Sequence, residues 1–146
     1  MNHFELADNY HQRGYGCAQS VLAAYSQDFG LEEKLALKLA NGFGSGMGRL
    51  CRVCGSLTGG FMVIGLKYGR WEEGPQHTAD TEETYRLVRL LAERFEAKNG
   101  TLLCRELLGL DLNDPIQRQY ATDKGLFKIR CTGYIQDVVQ ILDEIL

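Results

Sequence analysis

The sequence predicts an all-α, single-domain helical bundle with a central helix rich in small residues, and three observations carry that prediction. Apolar residues recur every three or four positions through most of the chain. No run alternates apolar and polar residues as a half-buried strand does. The stretch 53–68 sets Gly55, Ser56, Thr58, Gly59, Gly60 and Gly65 among Leu57, Phe61, Met62, Ile64 and Leu66. Each glycine in an exposed helix costs about 1 kcal/mol against alanine, so this composition suits a helix at the centre of a bundle. There, small residues let a neighbouring backbone or a cofactor approach closely. The length of 146 residues suits one domain, 1–146, and a globule of that size buries roughly 70% of the surface of its unfolded chain.

Taken in order, Phe4, Leu6, Ala7 and Tyr10 mark one face of a short helix that ends before Gly14. Cys17, Val21, Leu22, Tyr25 and Phe29 repeat the helical period, with Gly30 as a left-handed stop. A third helix is expected over residues 31–40, with Glu32 and Glu33 in its first turn, where the macrodipole favours acid. Residues 42–48 carry a glycine at every second position and predict a flexible or tightly turned loop. The buried helix comes next. After a loop, residues 78–98 place Tyr85, Val88, Leu91, Ala92 and Phe95 at helical spacing, closed by Asn99-Gly100. Thr101 is expected to cap a short helix with Cys104 at its third position. Asp114-Pro115 is a start signal for another. Residues 131–146 put Ile135, Val138, Val139, Leu142 and Ile145 on one face of a last helix.

Composition excludes some classes. A formal net charge of −3 is the wrong sign for a nucleic-acid footprint. The run 53–66 falls short of the ~20 apolar residues a membrane span needs. Residues 1–10 carry Glu5 and Asp8 and lack the basic start and apolar core of a secretory signal, so the expected compartment is the reducing cytoplasm. In that compartment cysteines are more often metal ligands or reactive thiols than structural disulfides.

The chain has five cysteines. On the helix map Cys17, Cys54, Cys104 and Cys131 each fall at, or within a turn of, a helix N-terminus, where free N–H groups and the dipole stabilise a thiolate. Gathered together, they would suit disulfide exchange or hold a metal ion or iron–sulfur cluster. The alternative is that each packs as a small buried hydrophobe. Cys51 and Cys54 form a lone Cys-x-x-Cys without the second pair of a zinc ribbon or the βαβ context of a thioredoxin-like dithiol. Covalent haem needs histidine after the second cysteine, and Gly55 stands there. His3, His11 and His77 lie among polar residues and read as solvated groups, leaving no base for a covalent thiol nucleophile. The loop containing Gly46 and Gly48 reads either as a nest of N–H groups for an anion or cofactor or as a packing crossover. It is no phosphate loop, because Arg49 and Leu50 replace the lysine and hydroxyl of that motif. Arg49 and Arg52 flank Cys51 and either act on the thiols electrostatically or are plain surface charges.

Gly16-Cys17-Ala18, the glycine-rich 42–48 loop, Cys54-Gly55-Ser56-Leu57-Thr58-Gly59 and the isolated Cys104 and Cys131 together resemble the redox-active protein family named for its C, GCAxxG, C, C pattern. The resemblance covers most of the chain. It implies that Cys17, Cys54, Cys104 and Cys131 are the functional, and under a cluster reading the metal-binding, cysteines, with Cys51 an addition. Ser56 departs mildly from the usual alanine. That family is often encoded near transporter genes, which implies a transporter or other membrane-associated complex as partner beside an unidentified redox partner; a homodimer is left open. It is also similar to part of the split-Soret cytochromes, which add haem motifs absent here and are linked to an iron–sulfur centre. The resulting expectation is a cytoplasmic redox protein using clustered cysteines for thiol/disulfide or iron–sulfur chemistry. Gly46, Gly48, Gly55 and Gly59 are its candidate cofactor-approach positions. The rival is a non-catalytic helical interaction module, serving a transporter, whose cysteines are structural.

Overall fold

A computed structural model describes all residues, Met1–Leu146. It contains eight right-handed helices: α1 (His3–Gln12), α2 (Cys17–Ser26), α3 (Glu33–Ala40), α4 (Gly55–Tyr68), α5 (Thr78–Asn99), α6 (Cys104–Leu108), α7 (Pro115–Asp123) and α8 (Thr132–Ile145). None is long and apolar enough to cross a membrane. The all-α expectation holds, and α4 is the central helix.

The glycines of α4 explain why it can sit there. A Cβ on Gly59 would stand 2.8 Å from the Ala18 carbonyl oxygen, and one on Gly60 would stand 2.7 Å from Leu91 Cδ2 and 2.9 Å from Val138 Cγ1. One face of α4 is therefore pressed on α2 and the next on α5 and α8, closer than any side chain permits. Around it Leu22, Tyr25, Leu57, Ile64, Leu91, Phe95, Ile135 and Leu142 are fully buried. Each of these large apolar side chains contributes about 1.5–3 kcal/mol relative to exposure. The Tyr25 hydroxyl lies 2.8 Å from Asp143 Oδ1 and 3.2 Å from the Val139 carbonyl oxygen, so this polar atom that α2 sends toward α8 is satisfied there.

Boundaries move where caps decide them. Helix α2 ends at Ser26 and tightens into a 3₁₀ turn (Gln27–Phe29) before Gly30, which is left-handed at φ 74° as expected. Glu32 is the extended cap residue of α3, so that helix starts two residues later than the acidic first turn suggested. Asp114 caps α7 through Ile116 N at 3.0 Å with Pro115 behind it, as the sequence signalled. Thr101 does not cap α6. Its hydroxyl accepts from Leu103 N at 3.1 Å, Leu103 is the cap residue, and Cys104 is the first helical residue rather than the third. The last helix begins earlier than expected, because a π-helical turn (Phe127–Cys131) runs directly into α8.

Two irregular features position the site. The glycine-rich loop is a tight left-handed turn: Ser45, Gly46, Met47, Gly48 and Arg49 all have φ between 55° and 69°, and Cys51 follows at 57°. Left-handed helical backbone costs roughly 1–2 kcal/mol for each residue bearing a Cβ, so something must hold this segment. The restraint is a short antiparallel bridge, Val53 against Leu103, flanked by Cys54 N to Leu102 O at 2.8 Å, Cys104 N to Arg52 O at 2.6 Å and Arg105 N to Cys51 O at 3.2 Å.

Candidate thiol site

That bridge brings Cys51 and Cys54 against Cys104, the close approach of α2 to α4 brings Cys17 beside Gly55, and the π turn delivers Cys131. A Cβ on Gly55 would lie 3.3 Å from Cys17 Cβ and 3.1 Å from the Phe43 carbonyl oxygen. Cys17, Cys54, Cys104 and Cys131 line one cavity of about 30 Å³, together with Ser45, Gly55, Leu107, Leu108, Leu112, Phe127 and Tyr134. That is room for little more than a water molecule. All five cysteines are free, and Cys17 alone reaches the surface in part.

The thiols are not equivalent. Cys17 is the first residue of α2, and its pKa is lowered to about 7, chiefly because the Cys131 thiol donates a hydrogen bond to its sulfur, with help from the charge of His11 and from Ser56. Burial pushes Cys54 up to about 12, with the neighbouring Cys17 charge adding to it. Cys104 is raised, first by burial and then by the charges of Cys54 and Cys51. Cys131 is strongly raised, because the hydrogen bond it gives to Cys17 is lost on ionisation, and burial adds to the shift. Four lowered thiols at four helix ends were expected; one is lowered. Cys54 and Cys104 do sit at helix starts, but desolvation outweighs the dipole there. Cys131 immediately precedes α8 as its cap residue, but its dihedrals of −65° and −33° are already helical and the π turn runs into it, so that helix end is not a free one.

His11 corrects the reading of the histidines. It is 8% exposed, its Nδ1 lies 3.2 Å from the Tyr15 carbonyl oxygen, and its Nε2 lies 3.0 Å from that of Phe127. Both neighbours only accept, so an imidazolium donates to both while a neutral ring satisfies one. His11, Lys128, Cys17 and Cys131 share a cleft of about 280 Å³ that opens to solvent with Tyr15, Gly16 and Ser45 on its walls. The sequence signal was present in the spacing, because His11 follows the buried Ala7 by one helical turn. His3 and His77 lie nearer the surface and face carboxylates, His3 those of Asp28 and Asp143, His77 that of Glu72 at 3.2 Å.

Ser56 Oγ is buried and lacks an ordinary hydrogen-bond partner. It faces the sulfurs of Cys17 and Cys54, where its dipole helps hold negative charge.

Beside three of the four candidate glycines, Gly46, Gly55 and Gly59, the protein's own atoms fill the space. The space beside Gly59 is filled by Ala18 and Val21, that beside Gly46 by the Cys51-Arg52 backbone at 2.6–2.8 Å, and that beside Gly55 by Phe43 and Cys17. Gly48 lies within the left-handed turn at φ 62°, and a Cβ there would meet nothing nearer than the Gly42 carbonyl oxygen at 3.8 Å. No group of three or more His, Cys, Asp or Glu side chains is arranged to hold a metal ion. As placed, with water-sized room among them, the four sulfurs do not fit a cluster.

A family model described as "Putative redox-active protein (C_GCAxxG_C_C)" matches residues 15–145. The chain belongs to that family. Its matched span takes in all five cysteines and leaves out the whole of α1, the helix that supplies His11. No curated protein and no solved structure matches the chain.

Proposed function

We propose that this member of the redox-active family is a cytoplasmic thiol–disulfide exchange protein in which Cys17 attacks and Cys131 resolves. The observation that carries the reading is that Cys17 and Cys131 together line both the solvent-open cleft and the small cavity shared with Cys54 and Cys104. A thiol titrating near ambient pH combines a large thiolate fraction with retained nucleophilicity, which is the optimum for exchange. Cys17 thiolate attacks one sulfur of a substrate disulfide, forming a mixed disulfide and releasing the other half as thiolate. Cys131 then loses its proton and attacks Cys17 Sγ, releasing the second half and leaving a Cys17–Cys131 disulfide. The substrate gains two electrons and the protein loses two; a cellular dithiol resets it.

Reduction of a small aromatic disulfide by the reduced protein tests this reading. Cys17→Ser is expected to abolish it, and Cys131→Ser to stop after the mixed disulfide. Five unreactive thiols in the native protein would instead make the cysteines structural, as in an interaction module. Iron in stoichiometric amount, with visible absorption, in anaerobically purified protein would replace the exchange reading with a cluster.

A further inference from the structure

Cys51 is not among the four cysteines of the family pattern, yet it is only 2% exposed and built into its surroundings. The Leu112 amide donates to its sulfur at 3.3 Å, and Cys104 packs in the same small cluster of buried side chains. Cys51, Cys104, Leu108, Leu112, Ala121 and Cys131 form a hydrophobic cluster of their own, separate from the main core. The backbone joins the two residues as well, since the amides of Cys104 and Arg105 bond the carbonyls of Arg52 and Cys51. Cys104 thus faces both ways. It lines the cavity of Cys17 and Cys131 on one side and packs in one cluster with Cys51 on the other. Cys51 borders a different cleft, of about 160 Å³, walled by Arg52, Arg105 and Glu106.

We propose that Cys51 and Cys104 are a second redox dithiol, which exchanges with the Cys17–Cys131 disulfide through Cys104 and lets one chain deliver four electrons. The proposal rests on the exchange reading above. Cys104, on giving up its proton, attacks Cys131 Sγ of the first disulfide. The Cys17–Cys131 bond breaks and Cys17 leaves as thiolate, the better leaving group of the two because its thiol is the more acidic. Cys51, deprotonated in turn, attacks Cys104 Sγ, and Cys131 departs and takes up a proton. The result is a Cys51–Cys104 disulfide, a reduced Cys17/Cys131 pair and one proton released. Two electrons have moved from the inner pair to the outer one, and the oxidant is the first disulfide itself. Cys17 is then free to attack a second substrate disulfide.

Reduced full-length protein, oxidised anaerobically with an excess of a small aromatic disulfide, alkylated and peptide-mapped, tests this. The expected products are Cys17–Cys131 and Cys51–Cys104, with Cys54 alkylated and two small disulfides consumed per chain. In Cys51→Ala consumption is expected to fall to one, with Cys17–Cys131 still formed. Cys51 found alkylated, or joined to Cys54, in protein carrying the Cys17–Cys131 bond would overturn the second dithiol and leave the first standing. Unchanged consumption in Cys51→Ala would do the same. Failure of Cys17 and Cys131 to pair at all would remove the exchange reading, and this proposal with it.

Discussion

Gly59 lies so close to Ala18 that a methyl group on it would stand 2.8 Å from the Ala18 carbonyl oxygen and 3.1 Å from its Cα. Both atoms are helix backbone, directly after Cys17, and neither can turn aside. Gly59→Ala is therefore expected to push α2 off α4 and lower stability by about 1–2 kcal/mol, the overpacking cost less the gain in helix propensity. It should also slow modification of Cys17. Gly133→Ala, with nothing within 4 Å of the added carbon, is the control and should raise stability by about 0.5–1 kcal/mol. Denaturant midpoints of the two variants check this, and equal midpoints would contradict the packing argument.

Gly46 makes the corresponding contact in the left-handed turn. Its Cβ would meet Arg52 N at 2.6 Å, and its φ of 64° is one that side chains rarely adopt. Gly46→Ala should cost about 2 kcal/mol or more, combining left-handed strain with the clash. Because the clash falls on the Cys51-Arg52 backbone, hydrogen exchange at the Cys104 and Arg105 amides should accelerate more than exchange in α5.

Cys17 titrates at about 7 in the folded protein, against 9.0 for an ordinary thiol. A depressed pKa of this kind contributes stability that is fully present above the unfolded value and lost as pH falls through the folded one. Iodoacetamide alkylation of Cys17 is expected to rise through neutral pH and level off before pH 9. In Cys131→Ala the midpoint should move upward, because the hydrogen bond that Cys131 donates is the largest cause of the depression. An unmoved midpoint would show that the bond does not matter.

His3 stacks on Tyr25 with centroids 3.9 Å apart and pairs with Asp28 and Asp143, tying α1 to α2 and α8. Burial works to lower its pKa, but the hydrogen bonds to Asp28 and Asp143 outweigh that and raise it above 6.5. A raised histidine contributes stability that is whole below the unfolded value and lost as pH climbs through the folded one. The urea midpoint should therefore fall between pH 6 and pH 9 by more in the natural protein than in His3→Gln. Parallel curves would exclude the ion pair as their cause.

The helices were legible because burial of one face writes a period into the sequence, as in α5 and α8, and because Gly30, Gly100 and Asp114 stand where the backbone needs them. The glycine content of α4 likewise announced its central place. What the sequence hid depends on contacts between distant segments. The bridge of Val53 to Leu103 spans too few residues to show alternation, and the left-handed turn is held by that bridge rather than by local preference. The four cysteines were recognisable as a set. Their individual acidities were not, because these follow from burial and from which thiol donates to which. His11 was passed over because its neighbours in sequence are polar, although its partners in space are two carbonyls.

The Val53–Leu103 pairing has a bearing on how the protein is made. During synthesis the first three cysteines leave the ribosome long before the segment that receives them, and Cys131 comes last of all. Until then nascent chains carry unsheltered sulfhydryls, and a ribosome stalled early leaves a polypeptide with none of the acid–base differences that separate Cys17 from its neighbours. The selectivity of this chemistry is thus acquired only once the segment carrying Cys131 has been made and has folded onto the rest.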